Sequence, residues 1–389
     1  MAVSATHPGR PGAIWGARAV AGLEAVDPDA WDGLVPPGSG GLRHAFLRAW
    51  ERCELAGLTS RPLVLPAPDG TGVAAAAAAY RYDLDLVGVH QLLPGRLLAA
   101  VRRLWPRLMI ARVLELGAPV AAVPPLLLAP DIDQRQAAGA ILDAALAESA
   151  AAGAGFTIVQ DEVAPTGPVA EALRARGFAQ LRTLPTTVLE QDFGSFDEYL
   201  GALRSRYRNR TRRILRQSRQ LRVERVRDFS ALAPEFTGLW RLVHDRATET
   251  KREILAEPFF TQAATVPETA ALVLRRPDGS IAAFGLVLED APWLHFLQCG
   301  FAVQAGRDEA AYFRLMLEVV RAGIDGGFRL IHLGATTLGP KLDLGAAAVP
   351  LSAWIRHRNP VINLGCQAVA RRSRAQALPA PRAVFTARG

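Results

Sequence analysis

The side chains able to exchange a proton near neutral pH are few in this chain: seven histidines and three cysteines in 389 residues. His295 stands in WLHFLQCGF (293–301) and His332 in FRLIHL (328–333), both apolar runs of strand length. An imidazole with a pKa near neutrality suits removal of a proton from an ammonium group, so either histidine is a candidate general base. Cys299 shares the run with His295. No cationic neighbour in sequence would make it a thiolate, and it reads as a small core residue. Lys341, in GPKLDLG, shares the chain with one other lysine, Lys251, among 45 basic residues. Its compact ammonium can hold an anionic group. Asp343 can orient that lysine, act as a base, or belong to a solvated pair. His244, in WRLVHDRATETKRE, presents either a polar edge to a substrate or an ordinary exposed helix end.

The densest local feature is cationic. Arginines stand at 204, 206, 208, 210, 212, 213, 216, 219, 222, 225 and 227, while Leu200, Leu203, Tyr207, Ile214 and Leu221 form one apolar stripe at helical spacing. A helix packed on that stripe turns its arginines outward, which makes Arg204, Arg208 and Arg212 candidates for binding phosphates of a cofactor or of a tRNA acceptor stem. The absence of interleaved aromatics argues against sequence-specific reading of single-stranded RNA. The formal charge of +8 adds little to this, because arginine together with abundant Ala and Gly is the signature of a GC-rich genome.

These groups must be positioned by elements that recur. LVLPAPDGTGVAAA (63–76) and LVLRRPDGSIAAFG (272–285) are two apolar runs around a Pro-Asp-Gly turn, each a hairpin signal. Downstream of each, an amphipathic helix precedes a Gly-Phe-led strand: Ala137–Ala151 before GAGFTIVQ, and Ala310–Ala322 before GGFRLIHL. The order predicts a mixed α/β chain of two copies, residues 18–192 and 193–365, the first longer by a segment that includes Arg96–Leu116. Further expected elements are a helix at Pro168–Arg176 stopped by Gly177, and strands at Thr186–Glu190 and Val349–Arg356. Simple alternation in 293–301 puts Trp293, His295, Leu297, Cys299 and Phe301 on one face, with Leu294, Phe296, Gln298 and Gly300 on the other. Both faces are apolar, as in a central strand. Residues 1–17 and 366–389 lack apolar periodicity and read as solvated tails. Three scattered cysteines offer no disulfide framework and no zinc spacing. With no apolar leader and no uninterrupted apolar run of membrane-spanning length, a soluble cytoplasmic protein without a structural metal is expected.

A chain of two such units resembles the GNAT superfamily, in the double-domain branch of CelD/BioF-like acetyltransferases and Fem peptidyltransferases. The resemblance rests on SFDEYLGALRSRYRNRTRRILRQ, WLHFLQCGF, YFRLMLEVVRAGIDGGFRLIHLG and GPKLDLGAAAVPLSAWIRHRNP, most of residues 193–360; the first copy matches in pattern only. It implies tandem GNAT-like domains, with the active site in the second copy and a degenerate first copy in support. The implied reaction is direct attack of an amine acceptor on an acyl donor, most simply acetyl-CoA as co-substrate. The family's donor-phosphate loop follows the fourth strand, which here is AVQAGRDE (302–309). That places Gln304, Gly306 and Arg307 at the phosphates and Gln298 at the donor. The loop departs from the family's R/Q-x-x-G-x-G/A pattern, and Asp308 and Glu309 bring negative charge toward a phosphate site. The departure keeps two alternatives open: an aminoacyl-tRNA-dependent ligase with residues 204–227 as its tRNA surface, and a noncatalytic binding module of envelope or polysaccharide assembly. The family's acceptor-cleft segment, Gly-x-x-Tyr-Lys-like, is matched by Gly334 and Lys341 without the tyrosine, and Tyr312 is the candidate to replace it.

Overall fold

The computed structural model describes residues 16–53, 57–85, 110–119, 123–162, 166–247, 255–302, 309–373 and 378–386. Its first half contains strands β1 (Arg18–Ala19), β2 (Thr59–Ser60), β3 (Leu63–Pro66), β4 (Val73–Ala77), β5 (Ala79–Asp85), β6 (Ile110–Leu116), β7 (Leu127–Leu128), β8 (Phe156–Glu162), β9 (Ala179–Arg182) and β10 (Thr186–Glu190). Its helices are α1 (Pro28–Asp32), α2 (His44–Glu51), α3 (Gln134–Ala151) and α4 (Pro168–Ala175). The second half runs α5 (Phe196–Ala202), α6 (Ser205–Gln217), β11 (Arg222–Val226), α7 (Ala233–His244), α8 (Glu257–Ala263), β12 (Thr269–Arg275), β13 (Ile281–Asp290) and β14 (Trp293–Phe301). It continues with α9 (Ala311–Asp325), β15 (Leu330–His332), α10 (Leu338–Asp343), β16 (Ala347–Val349), β17 (Ser352–His357) and α11 (Pro360–Ser373).

Both expected hairpins form, and the reason is local: Gly70 and Gly279 take φ of +76° and +85°, a region open to glycine at no steric cost. In the second half β12 and β13 are buried almost throughout, so their sheet is covered on both faces. On one face α9 packs Leu315, Met316 and Val319 against Leu294 and Phe296. On the other, α7 and α8 bring Phe236, Trp240 and Phe260 onto Phe284 and Leu286. Burying an aromatic or aliphatic side chain of this size contributes about 1.5–3 kcal/mol, which makes this sheet a rigid platform for whatever its strand ends carry.

The strand order of the second sheet is β11-β12-β13-β14-β15-β10-β16 and that of the largest first-half sheet β2-β5-β6-β8-β17-β9. Two strands therefore change sides. β10, from the first half, pairs antiparallel with β15 and β16, while β17, from the second, pairs with β8 and β9. Each half supplies the other with a strand, so a boundary between residues 192 and 193 does not separate the two sheets. The expected strand Val349–Arg356 is in fact two short strands, β16 and β17, serving different sheets. β6 pairs with β5 and β8 as β14 pairs with β13 and β15, which puts the first copy's extra length between Asp85 and Ile110, outside the described residues.

Two further expectations are corrected. Leu286 pairs with Gln298 and Val287 with Phe296, so β14 carries an extra residue, Leu297, as a bulge. Alternation reverses there: Gln298 joins the face of His295, and Cys299 and Phe301 join Leu294 and Phe296 against α9. The C-terminal segment is not a solvated tail either. Residues 360–373 are helix α11, and the chain then returns to the second half, where Val384 is buried, Thr386 N–H donates to the Ala202 carbonyl and Phe385 packs on Phe193 and Tyr199. A packed aliphatic and an aromatic anchor suffice to hold a segment that has no periodicity. Among the described residues no helix is long and apolar enough to cross a membrane.

Candidate functional site

β14 and β15 are the only parallel pair in the second sheet among the described residues, and they stay together for three residues: Trp293 with Leu330, Leu294 with Ile331, His295 with His332. Beyond that point β15 turns to β10, where Leu333 N–H donates to the Thr187 carbonyl and Thr187 N–H to the Gly334 carbonyl. β14 runs on to Phe301 without backbone bonds on that side among the described residues. The result is a V-shaped cleft whose apex is His295 and His332 and whose one wall is the bulged edge of residues 296–301. Unpaired backbone donors and acceptors on a strand edge are a template for an extended ligand.

The two imidazole rings lie 5.6 Å apart at that apex. His332 bonds through Nε2 to the Thr186 hydroxyl of the exchanged strand β10. His295 stacks on the Trp293 indole and is almost fully buried, yet neither ring nitrogen has a partner in hydrogen-bond geometry, although the Gly38 carbonyl and the Asp290 carboxylate lie close enough to favour its protonated form. Burial outweighs both and lowers its pKa to about 4. His332 is lowered to about 3, by burial first and then by His295 and Lys341. The expected near-neutral pKa is thus corrected: both rings are neutral at pH 7, because both are buried, and at His332 a nearby cation adds to the effect.

That cation is Lys341, on α10 and 3% exposed. A methyl group on Gly334 would sit 3.5 Å from its Nζ and 4.0 Å from the Phe296 carbonyl oxygen, which fixes the ammonium beside the open edge of β14. Its charge opposes the upward pull of burial on Cys299, whose pKa nevertheless rises to about 11. Cys299 is therefore a protonated thiol at pH 7 and no nucleophile.

His295, His332 and Lys341 are thus brought together. The remaining sequence candidates are not. Tyr312 lies against Phe301, rings tilted and 5.3 Å apart, at the far end of β14 from His295. Gln298 accepts a hydrogen bond from Trp240 Nε1 at 3.0 Å and holds α7 on the sheet. His244, one turn further along α7, stacks on Trp240 with rings 4.6 Å apart, and its Nε2 is buried without a hydrogen-bond partner. Asp343 is bound by both Arg210 and Arg382 and does not orient Lys341. Arg204 donates to the Phe385 carbonyl, and Arg208 to the Gly201 and Leu203 carbonyls, as structural ties. Arg212 is exposed and makes no ion pair among the described residues. Gln304, Gly306 and Arg307 lie outside the described residues. Glu309, expected to set negative charge beside a phosphate, is instead paired with Arg276 at 3.0 Å.

Sequence reasoning missed the contribution of the first half. Gly38 lies so flat on the Trp293 indole that a Cβ would come within 2.0 Å of the ring, and Gly40 touches Asp290. Arg43 reaches Asp290 Oδ1 at 3.3 Å. The PPGSGG run (36–41) signals a loop, but nothing local says which distant strand it covers.

The family model described as an acetyltransferase (GNAT) domain matches residues 201–341, which contain the whole of β14, β15 and the Lys341 cleft. No curated protein matches the chain by sequence. Among solved structures it is similar to FemX, with a TM-score of 0.58 and 14% identity over 88% of this chain and 99% of that one. It is similar to the C-terminal domain of a putative lysylphosphatidylglycerol synthetase from Agrobacterium fabrum, with a TM-score of 0.51 and 13% identity over 88% and 95%. The L-PGS of Bacillus licheniformis gives 0.50 and 11% over 90% and 97%. At such identities the likeness is one of fold, and the fold is a tandem, Fem-like pair of GNAT units.

Proposed function

We propose that this protein, whose residues 201–341 match the acetyltransferase (GNAT) domain, moves an acyl group from an acyl-CoA thioester, most simply acetyl-CoA, onto an amine by direct attack. The parting of β14 and β15 beyond His295 and His332 carries this reading. The bulged edge left open offers backbone groups to the two amides of a pantetheine arm, much as a strand edge receives an extended peptide. In this reading Gln304, Gly306 and Arg307 take the donor phosphates, aided by the N-terminus of α9. The pairing of Glu309 with Arg276 removes one electrostatic objection to that placement.

At the apex the acceptor nitrogen forms a bond to the thioester carbon, negative charge gathers on the carbonyl oxygen, and the Lys341 ammonium stabilises it in a water-poor site. The C–S bond then breaks and the thiolate leaves. Imidazoles as weakly basic as His295 and His332 cannot take a proton from a free ammonium ion, so the acceptor enters as the neutral amine. Once the C–N bond has formed, its nitrogen is far more acidic, and the neutral imidazole accepts that proton for return to the departing sulfur. Outside the reacting atoms, Lys341 also suits an anionic group on the substrate.

A second reading has one observation in its favour. Arg212, Arg213, Arg216 and Arg219 on and after α6 are exposed and make no ion pair among the described residues, which suits a polyanion such as the acceptor stem of an aminoacyl-tRNA. The two are separated by release of free thiol when acyl-CoAs are mixed with a panel of primary amines. Acyl-CoA turnover that Lys341→Met abolishes supports the first reading; no thiol release, with ribonuclease-sensitive transfer from charged tRNA, replaces it with the second.

A further inference from the structure

Helix α11 presents an outward face that water does not suit. Four of the large hydrophobic residues exposed among the described residues lie on it: Val361 is 74% exposed, Leu364 63%, Val369 60% and Ile362 47%. At 3.6 residues per turn these four fall with Gly365, Ala368, Arg371 and Arg372 on one continuous arc, and the opposite arc, Asn363, Cys366, Gln367 and Ala370, packs toward the protein. Asn363 anchors the helix by donating from Nδ2 to the Gly177 carbonyl at 3.0 Å. The usual arrangement is thus inverted, with the uncharged polar side chains inward and the aliphatic ones outward. The outward arc holds no acidic and no neutral polar side chain.

Its charge has one sign. Arg358 precedes the helix, Arg371 and Arg372 end it, and none makes an ion pair among the described residues. No aspartate or glutamate follows Asp343 anywhere in the sequence. An aliphatic row between unpaired arginines, on a helix lying against the protein surface, fits the boundary of an anionic bilayer, where aliphatic side chains enter the acyl region and guanidinium groups meet lipid phosphates. We propose that α11 docks the protein on an anionic phospholipid surface. A second copy of the chain fits less well. A two-fold pairing of this face sets Arg371 and Arg372 against their own equivalents or, if antiparallel, against Arg358, with no acidic residue to compensate. Nucleic acid would satisfy the arginines and leave four aliphatic side chains in water.

The test is co-sedimentation of the full chain with extruded vesicles of phosphatidylcholine alone and of phosphatidylcholine with phosphatidylglycerol. The protein is expected to pellet with the anionic vesicles and stay in solution with the zwitterionic ones. Leu364→Asp with Val369→Asp, and separately Arg371→Gln with Arg372→Gln, should each weaken the partitioning by about tenfold or more while leaving the thermal midpoint unchanged, since all four side chains are exposed. Failure of the wild type to pellet at low salt overturns the proposal, as does binding that either double variant retains. A dimer mass in light scattering that the Asp variant reduces to a monomer, without vesicle binding, assigns the face to a second copy instead. An RNA mobility shift lost only in the arginine variant, again without vesicle binding, assigns it to nucleic acid.

Discussion

His295 and His332 face each other across the last paired position of two parallel strands, their rings 5.6 Å apart, and the strands separate immediately beyond them. Neither ring is exposed and both are held neutral. Two charged groups act on them, the Asp290 carboxylate on His295 and the Lys341 ammonium on His332.

The first consequence is a dependence of stability on pH. Unfolded histidines protonate near pH 6.5, whereas native His295 and His332 resist protonation until about pH 4 and about pH 3. The unfolded state binds more protons in between, so stability present above about pH 6.5 is lost as pH falls toward 4. For His295 alone the loss is about 3 kcal/mol. Urea unfolding at pH 7.5 and pH 4.5 should show it, and His295→Gln should flatten the difference; an equally steep pH dependence in the variant contradicts the burial argument.

The acid limb of the rate profile should belong to the acceptor. With both imidazoles already deprotonated, kcat/KM is expected to rise with pH until the acceptor amine itself is deprotonated, with no inflection near 6–7. Replacing the acceptor by an amine of lower pKa should move the limb down by the same amount. A limb fixed near 6.5 for every amine would restore a histidine as the titrating base.

Lys341→Met keeps most of the length of the side chain and removes its charge. If that charge stabilises the oxyanion, kcat should fall about 100-fold with little change in KM for the donor. Unchanged kcat with raised KM would make Lys341 a binding residue for an anionic substrate group only.

Gly300 and Gly238 provide a packing contrast. A Cβ on Gly300 would approach the Phe284 ring to 2.5 Å and the Trp240 backbone nitrogen to 2.6 Å, and neither can yield without lifting α7 from the sheet. Gly300→Ala should cost on the order of 2–3 kcal/mol in chemical denaturation. Gly238, in the middle of α7, has nothing within 4 Å of a Cβ, so Gly238→Ala should stabilise by up to about 1 kcal/mol.

Much of this architecture is legible in sequence, and the parts that are not share a physical cause. The two hairpins, α9 and β14 are written in local signals: a glycine that must take positive φ, a 3.6-residue period, an apolar run of strand length. The bulge at Leu297 leaves no such trace, because a strand apolar on both faces has no alternation for an extra residue to interrupt. The exchange of β10 and β17 depends on which sheet has a vacant position, a property of the whole fold. Val384 and Phe385 hold the C-terminal segment by two anchors, too few to form a pattern. His295 and His332 are visible as candidates, but their depressed pKa values come from burial and, at His332, from His295 and Lys341 beside it, which only the assembled fold brings about.

The most direct test of the cleft as a donor site is thermal unfolding of the full chain with acetyl-CoA, with longer acyl-CoAs and with total charged tRNA. A ligand that binds only the native state raises the midpoint by mass action, by about 2.7 kcal/mol of stabilisation at a hundred times its Kd. The account predicts a rise with an acyl-CoA that desulfo-CoA analogues share in part. A midpoint unmoved by every acyl-CoA, with or without a salt-sensitive rise in tRNA, would contradict it.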